Sequence, residues 1–192
     1  MKTVILVNGI PASGKSTTAT KIADYFTCPY LSIDTIKEPF MGLHHDVDRK
    51  LNRQLGQAAY QVIWNTIAQA PDECVYVVDA WFGFRSKDEL LQYVEQSDIH
   101  HVIEVWNQVS PETVVERYKQ RLPYRRKGHP GAEYLPELER LAQKAQPMNI
   151  GELIWLDQDD TPSHAKLLPE ISALMATLSQ VKKSPVKKTI NY

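Results

Sequence analysis

The sequence predicts an α/β fold in three layers, a five-stranded parallel sheet with helices on both faces. Three observations predict it. Five short apolar runs alternate with stretches of helical periodicity, the order that builds parallel strands joined by right-handed crossovers. The first run, Val4-Ile5-Leu6-Val7, is continuously apolar rather than alternating, as a strand covered on both faces must be. It leads into Gly9-Ile10-Pro11-Ala12-Ser13-Gly14-Lys15-Ser16 and then a helical segment, which is the pattern G-x-x-x-x-G-K-[ST] in its strand–loop–helix setting.

Taken in order, Val4 to Asn8 is the central strand, and Thr17 to Phe26 is a helix with Ala19, Ile22, Ala23 and Phe26 as its inward stripe. Pro29 to Ile33 is a second strand that ends at Asp34. From Leu43 to about Ala70 the pattern is helical, with Leu51, Leu55, Ala58, Ala59, Val62, Ile63 and Ile67 at spacings of three and four. Val75 to Val78 is a third buried strand and ends at Asp79. Ser86-Lys87-Asp88-Glu89 is a capping box for a helix to about Glu95, and His101 to Trp106 is the fourth strand. Ser110-Pro111 opens a helix, with serine as cap and proline at the first helical position, and Pro123 ends it. A basic, turn-rich segment follows with Arg125, Arg126, Lys127 and His129, then a helix over about Pro136 to Gln146. Leu153 to Leu156 is the fifth strand, ending at Asp157, and a last helix runs from Thr161 to about Leu178. Residues 181–192 carry Lys182, Lys183, Lys187 and Lys188 around Pro185 and read as a flexible basic tail beyond a single domain of residues 1–180.

The chain has 192 residues, enough for one buried core with little left for a second. A net charge of −1 and a pI near 6.6 give no global basic field for nucleic acid or an anionic membrane. No apolar run reaches the roughly 20 residues of a membrane span, and Met1-Lys2-Thr3 is followed at once by a strand, not by a secretory signal. Cys28 and Cys74 fit neither a disulfide framework nor a metal site and read as free, buried thiols, which suits a reducing cytoplasm.

Ligands of parallel sheets bind beyond the carboxyl ends of the strands, and Asp34, Asp79, Asp157 and the glycine-containing loop all fall there. The loop has a specific chemistry. Gly9 and Gly14 permit a tight turn that passes through Pro11, so that the amide N–H groups of Ala12-Ser13-Gly14-Lys15-Ser16-Thr17 at the helix start face one concavity suited to a polyphosphate. Lys15 can reach the β- and γ-phosphates, and the Ser16 hydroxyl can ligate Mg²⁺. ATP and Mg²⁺ are therefore the expected cofactors.

These residues resemble the small P-loop kinases, the group of nucleotide, shikimate and gluconate kinases. The likeness is greatest to the branch of AAA-like ATPases, zeta toxins, chloramphenicol phosphotransferases and polynucleotide 5′-kinases. It rests on the loop through Thr17, on Ser32-Ile33-Asp34-Thr35-Ile36-Lys37 after the second strand, and on an arginine-bearing helix after the fourth. The resemblance implies a P-loop NTPase sheet of order 2-3-1-4-5 and a lid at about residues 122–134. It also implies transfer of the γ-phosphate to a hydroxyl, with Asp34 as the base that takes the hydroxyl proton; Lys37, three residues on, either meets the acceptor or is solvated. Asp79 would hold Mg²⁺ with Ser16, Arg117 would stack on adenine, and Arg121 with Arg125 would clamp the phosphates. Trp81, Phe82, Phe84 and Arg85 form an aromatic and basic cluster after the third strand, expected to wall the acceptor pocket. His129 reads as an ordinary loop residue.

The expected partners are a nucleotide and a small-molecule acceptor, without nucleic acid or membrane. A 5′-hydroxyl polynucleotide kinase is the alternative within enzymes, disfavoured by the charge balance. A nucleotide-dependent switch without an acceptor is the alternative from another class. The residues do not spell out the acceptor, the choice between ATP and GTP, or the oligomeric state.

Overall fold

β1 (Lys2–Asn8) is the middle strand of one sheet and is buried along its whole length. β3 (Val75–Asp79) and β4 (Ile99–Gln108) flank it, with β2 (Tyr30–Ser32) outside β3 and β5 (Glu152–Asp157) outside β4. All pairings are parallel, and the order β2-β3-β1-β4-β5 is the one the resemblance implies. The computed structural model describes residues 1–181, so the basic tail expected over residues 181–192 lies outside the described residues except for Val181, which ends the last helix. Register brings the carboxyl ends to one edge: Val7 and Ser32 both lie beside Asp79, Asn8 beside Trp106, and Gln108 beside Asp157.

Side chains of β1 alternate between two cores. Val4 and Leu6 pack with Tyr60, Ile63, Trp64 and Ile67 of α3 (Arg49–Gln69) and Leu90 of α4 (Lys87–Gln96). Ile5 and Val7 pack on the other face with Ala19 and Ile22 of α1 (Lys15–Phe26) and Leu167 and Ile171 of α7 (Thr161–Val181). A third cluster joins Ile10 and Ala12 of the glycine loop to Val114 and Tyr118 of α5 (Pro111–Arg121) and Leu138 of α6 (Leu135–Lys144). The expected caps are present, with Ser86 accepting from the Glu89 amide and Ser110 from the Thr113 amide.

Four local expectations are corrected. The second strand stops at Ser32, whose hydroxyl caps α2 (Ile33–Met41), a helix that the sequence reading did not identify. The long helix begins at Arg49 rather than Leu43, because Asp48 accepts from the Leu51 amide at 2.7 Å and fixes its start. Its inward face carries Tyr60 and Trp64, whereas Val62 is exposed. The two cysteines are free but half-buried rather than buried.

One buried acid organises the middle of the sheet. Glu104 on β4 has no exposed surface, and Oε1 accepts from Asn8 Nδ2 (2.8 Å) and the Met148 amide (2.8 Å) while Oε2 accepts from the Ile150 amide (3.3 Å). Both oxygens are acceptors, so Glu104→Gln turns an NH₂ against an existing N–H donor. The substitution is expected to cost about 1–3 kcal/mol, read as a lower midpoint in urea unfolding with an unchanged m-value.

Candidate active site

The loop after β1 is built for close approach. Gly9 (φ +155°) and Gly14 (φ +89°) adopt backbone conformations that side chains disfavour. A Cβ at Gly9 would sit 2.4 Å from Ser13 Oγ, which is itself buried without a hydrogen-bond partner. The Lys15 ammonium folds back onto the Ile10 carbonyl at 3.4 Å. Ser16 and Thr17 are exposed at the start of α1, and Pro11 is half-exposed on the loop.

Next to the loop, the Tyr30 hydroxyl on β2 donates to Asp79 Oδ2 at 2.8 Å, with the Ser16 hydroxyl beside it. Burial, followed by the Asp79 charge, pushes the Tyr30 hydroxyl well above its ordinary value, so it remains a donor. The other Asp79 oxygen, Oδ1, is buried with no hydrogen-bond partner. An orphaned carboxylate oxygen near a hydroxyl at a helix start has the hard, anionic oxygen chemistry of a Mg²⁺ site, so Ser16 and Asp79 fit that ion.

Asp34 lies in the first turn of α2, with its side chain 61% exposed, and forms an ion pair at 2.9 Å with the Lys37 ammonium, whose side chain is 8% exposed. Desolvation pushes the Asp34 carboxyl up, but Lys37, then His129 and Lys15, outweigh it and hold the carboxyl below its ordinary value. It therefore stays ionised at neutral pH, within the field of the loop lysine. Arg125 in that segment stacks over the Tyr118 ring at 4.5 Å and contacts His129. Arg117 donates to the Gln158 carbonyl after β5 at 3.2 Å, and Arg121 is exposed at the end of α5.

The aromatic cluster divides. Phe82, expected in a pocket wall, is a core residue at 1% exposure, packed against Tyr60, and its amide donates to Asn8 Oδ1. Trp81 is half-buried against Phe84, which is exposed. Arg85 pairs with Glu89 and lies 3.9 Å over the Tyr60 ring, so its charge is already matched inside the protein. His129 is not an ordinary loop residue either, since its side chain is 5% exposed and both ring nitrogens have partners.

A family model described as an AAA domain matches residues 4–147. The chain belongs to this AAA domain family of P-loop NTPases. No curated protein sequence matches it. Among solved structures, a candidate kinase from Chloroflexus aurantiacus J-10-fl is similar in fold, with TM-score 0.75, 22% identity, and 90% of this chain and 97% of that one covered. A gluconokinase from Sinorhizobium meliloti 1021 is similar with TM-score 0.58 and 16% identity, covering 93% and 94% of the two chains. A shikimate kinase from Acinetobacter baumannii, in complex with shikimate, is similar with TM-score 0.56 and 15% identity, covering 92% and 93%.

In this P-loop NTPase the residues that support the loop escaped the sequence reading. Asn107 on β4 donates to the Asn8 carbonyl at 2.9 Å and accepts from Thr18 Oγ1 (2.9 Å) and Gln158 Nε2 (2.7 Å). These contacts tie the loop, α1 and the turn after β5 into one polar network. A single asparagine in an apolar strand carries no motif, so only its position under the loop reveals the role. Gly9→Ala is expected to weaken MgATP binding at least about tenfold by displacing Ser13 from the loop, with far-UV circular dichroism unchanged. Calorimetry at neutral pH reads the affinity, and an unchanged dissociation constant would rule out the Gly9 geometry as a phosphate cradle.

Proposed function

We propose that the chain is an ATP- and Mg²⁺-dependent phosphotransferase that moves the γ-phosphate to a hydroxyl of a small molecule. The observation that carries this reading is an ionised carboxylate, Asp34, within the field of Lys15 and open to solvent beside the glycine loop. A nucleotide switch needs no such group; a kinase needs a carboxylate to orient and deprotonate an alcohol. The family assignment and the shared fold of the small kinases support it.

In this reading Gly9, Pro11, Ala12, Ser13, Gly14, Ser16 and Thr17 form the loop that binds the triphosphate, and Lys15 neutralises charge on the β- and γ-phosphates. Ser16 and Asp79 would hold Mg²⁺, which when bound shields the phosphate oxygens from the incoming nucleophile. Asp34 orients the acceptor hydroxyl and takes its proton, while Lys37 keeps the carboxylate ionised and points it. Residues 122–134 act as a lid on a single unit of residues 1–180, with Arg125 the inward clamp, Arg121 reaching the phosphates from the end of α5, and Arg117 lying against adenine beside Gln158. Trp81 and Phe84 offer the acceptor an apolar face. Phe82 and Arg85 support that wall from beneath. The two free thiols suit a cytoplasmic setting.

Lys15→Ala is expected to abolish ATP turnover. Asp34→Asn is expected to bind MgATP normally and transfer phosphate about 10²- to 10⁴-fold more slowly. Labelled ATP screened against pooled hydroxyl compounds, with short DNA and RNA included, measures both. Full transfer by Asp34→Asn would remove Asp34 as the base, and labelling of the nucleic acid alone would replace the small-molecule acceptor.

A further inference from the structure

The 122–134 segment is fastened to α2 by a chain of part-buried polar contacts that runs from Arg125 through His129 to Glu38. His129 Nδ1 lies 3.1 Å from Arg125 Nη2, and His129 Nε2 lies 3.0 Å from Glu38 Oε1. The other Glu38 oxygen pairs with Arg126 Nε at 3.0 Å. Around this chain, Tyr118 donates its hydroxyl to the Pro130 carbonyl at 2.8 Å, and Asn52 Nδ2 donates to the Gly128 carbonyl at 2.6 Å. Gly128 (φ +95°) approaches Val47 and Met41 so closely that a Cβ would lie 2.7 Å and 2.8 Å from their side chains.

The donors and acceptors in this chain decide the state of the histidine. A guanidinium only donates, so Nδ1 must be a bare acceptor; a carboxylate only accepts, so Nε2 must carry the proton. We infer that His129 is a positioning residue, held as the neutral Nε2–H tautomer by Glu38, whose Nδ1 lone pair aims Arg125 from the lid toward the site of Asp34. The inference rests on the phosphotransferase reading for its purpose, although the tautomer does not. Glu38 follows Asp34 by four residues and so shares its helix face, so that the proposed base and the support of the proposed clamp are carried by one rigid helix.

An imidazolium cannot accept from Arg125, so protonation of His129 releases the guanidinium. The charged and titratable groups facing His129 are Asp34, Lys37 and Glu38 from α2 and Arg125 from its own segment, with Arg126 held on the far oxygen of Glu38. Burial lowers the imidazole pKa first, Lys37 and Arg125 lower it further, and Asp34 and Glu38 raise it, leaving it below its ordinary value. The neutral form, and with it the Arg125 contact, therefore persists at neutral pH and is lost as pH falls below the usual histidine range.

The test uses the full chain labelled with [¹⁵N]histidine. Long-range ¹H–¹⁵N spectra are expected to show His129 as Nε2–H with a bare Nδ1 and titrating below the usual histidine value, and His129→Gln assigns it among the 6 histidines by loss of the signal. Arg125→Ala removes both the donor and a cation, so the pKa of His129 should rise. In turnover with MgATP and water as acceptor, His129→Ala is expected to lower kcat about 10- to 100-fold, with KM for ATP within about threefold. His129→Gln, which keeps an acceptor and a donor, should recover most of that loss and move the acid limb of the pH profile down from the histidine to the carboxylate, Asp34. Glu38→Gln removes a charge that favours imidazolium, so the limb should move to lower pH. An Nδ1–H tautomer, or a His129 pKa unmoved in Arg125→Ala, would overturn the assignment. An unchanged kcat in His129→Ala would overturn the positioning role. If instead Lys15→Ala retained full turnover, the phosphotransferase reading would fall, while the spectra would still decide the tautomer.

Discussion

Asn8 ends the central strand, and its side chain binds in two directions at once. Oδ1 accepts from the Gly9 amide at 2.8 Å and the Phe82 amide at 3.2 Å, while Nδ2 donates to Glu104. Its own carbonyl takes the Asn107 amide. Where a parallel strand turns abruptly into a loop, the sheet no longer pairs the backbone groups, and buried ones must find partners elsewhere. Asn8 supplies those partners for β1 and for the turn after β3 together. The start of the phosphate loop is thereby fixed relative to Asp79 and the sheet, and the remaining geometry of the candidate site follows from that anchor.

Charge around the site is arranged in matched pairs rather than as a general basic field. Lys37 is matched by Asp34, Arg85 by Glu89, and Arg126 by Glu38. Such pairs at half-buried positions fix side-chain direction more than they add stability, because desolvation offsets much of the attraction. Arg125 differs in resting on a tyrosine ring and a neutral histidine. A guanidinium so held keeps its full charge without a carboxylate to neutralise it, the condition a clamp for phosphate requires.

Much of the fold was legible. The short apolar runs located the five strands of the sheet, the end of the second excepted, the Ser86 and Ser110 caps located two helix starts, and the glycine loop located the phosphate end of the sheet. What escaped had weak local signals. α2 is short, contains Pro39 and begins inside what reads as the end of a strand, so only the Ser32 cap marks it. Trp64 and Tyr60 could face inward or outward on a 21-residue helix, and only the sheet beneath decides which. Phe82 stands in a loop by sequence yet is core by packing, because the turn after β3 folds back over α3.

The sequence alone determined the local chemistry: which strands are buried, where a polyphosphate can be cradled, and which acids stand at strand ends. Those are properties of a few adjacent residues, set by periodicity, caps and backbone freedom. Only the tertiary structure decided that Glu38, His129 and Arg125 form one chain, that Asp79 keeps an oxygen free, and that Glu104 and Asn107 support the loop. Side chains some 90 residues apart, such as Glu38 and His129, meet only when the whole sheet is assembled, and the sequence carries no local pattern for a hydrogen bond of that span.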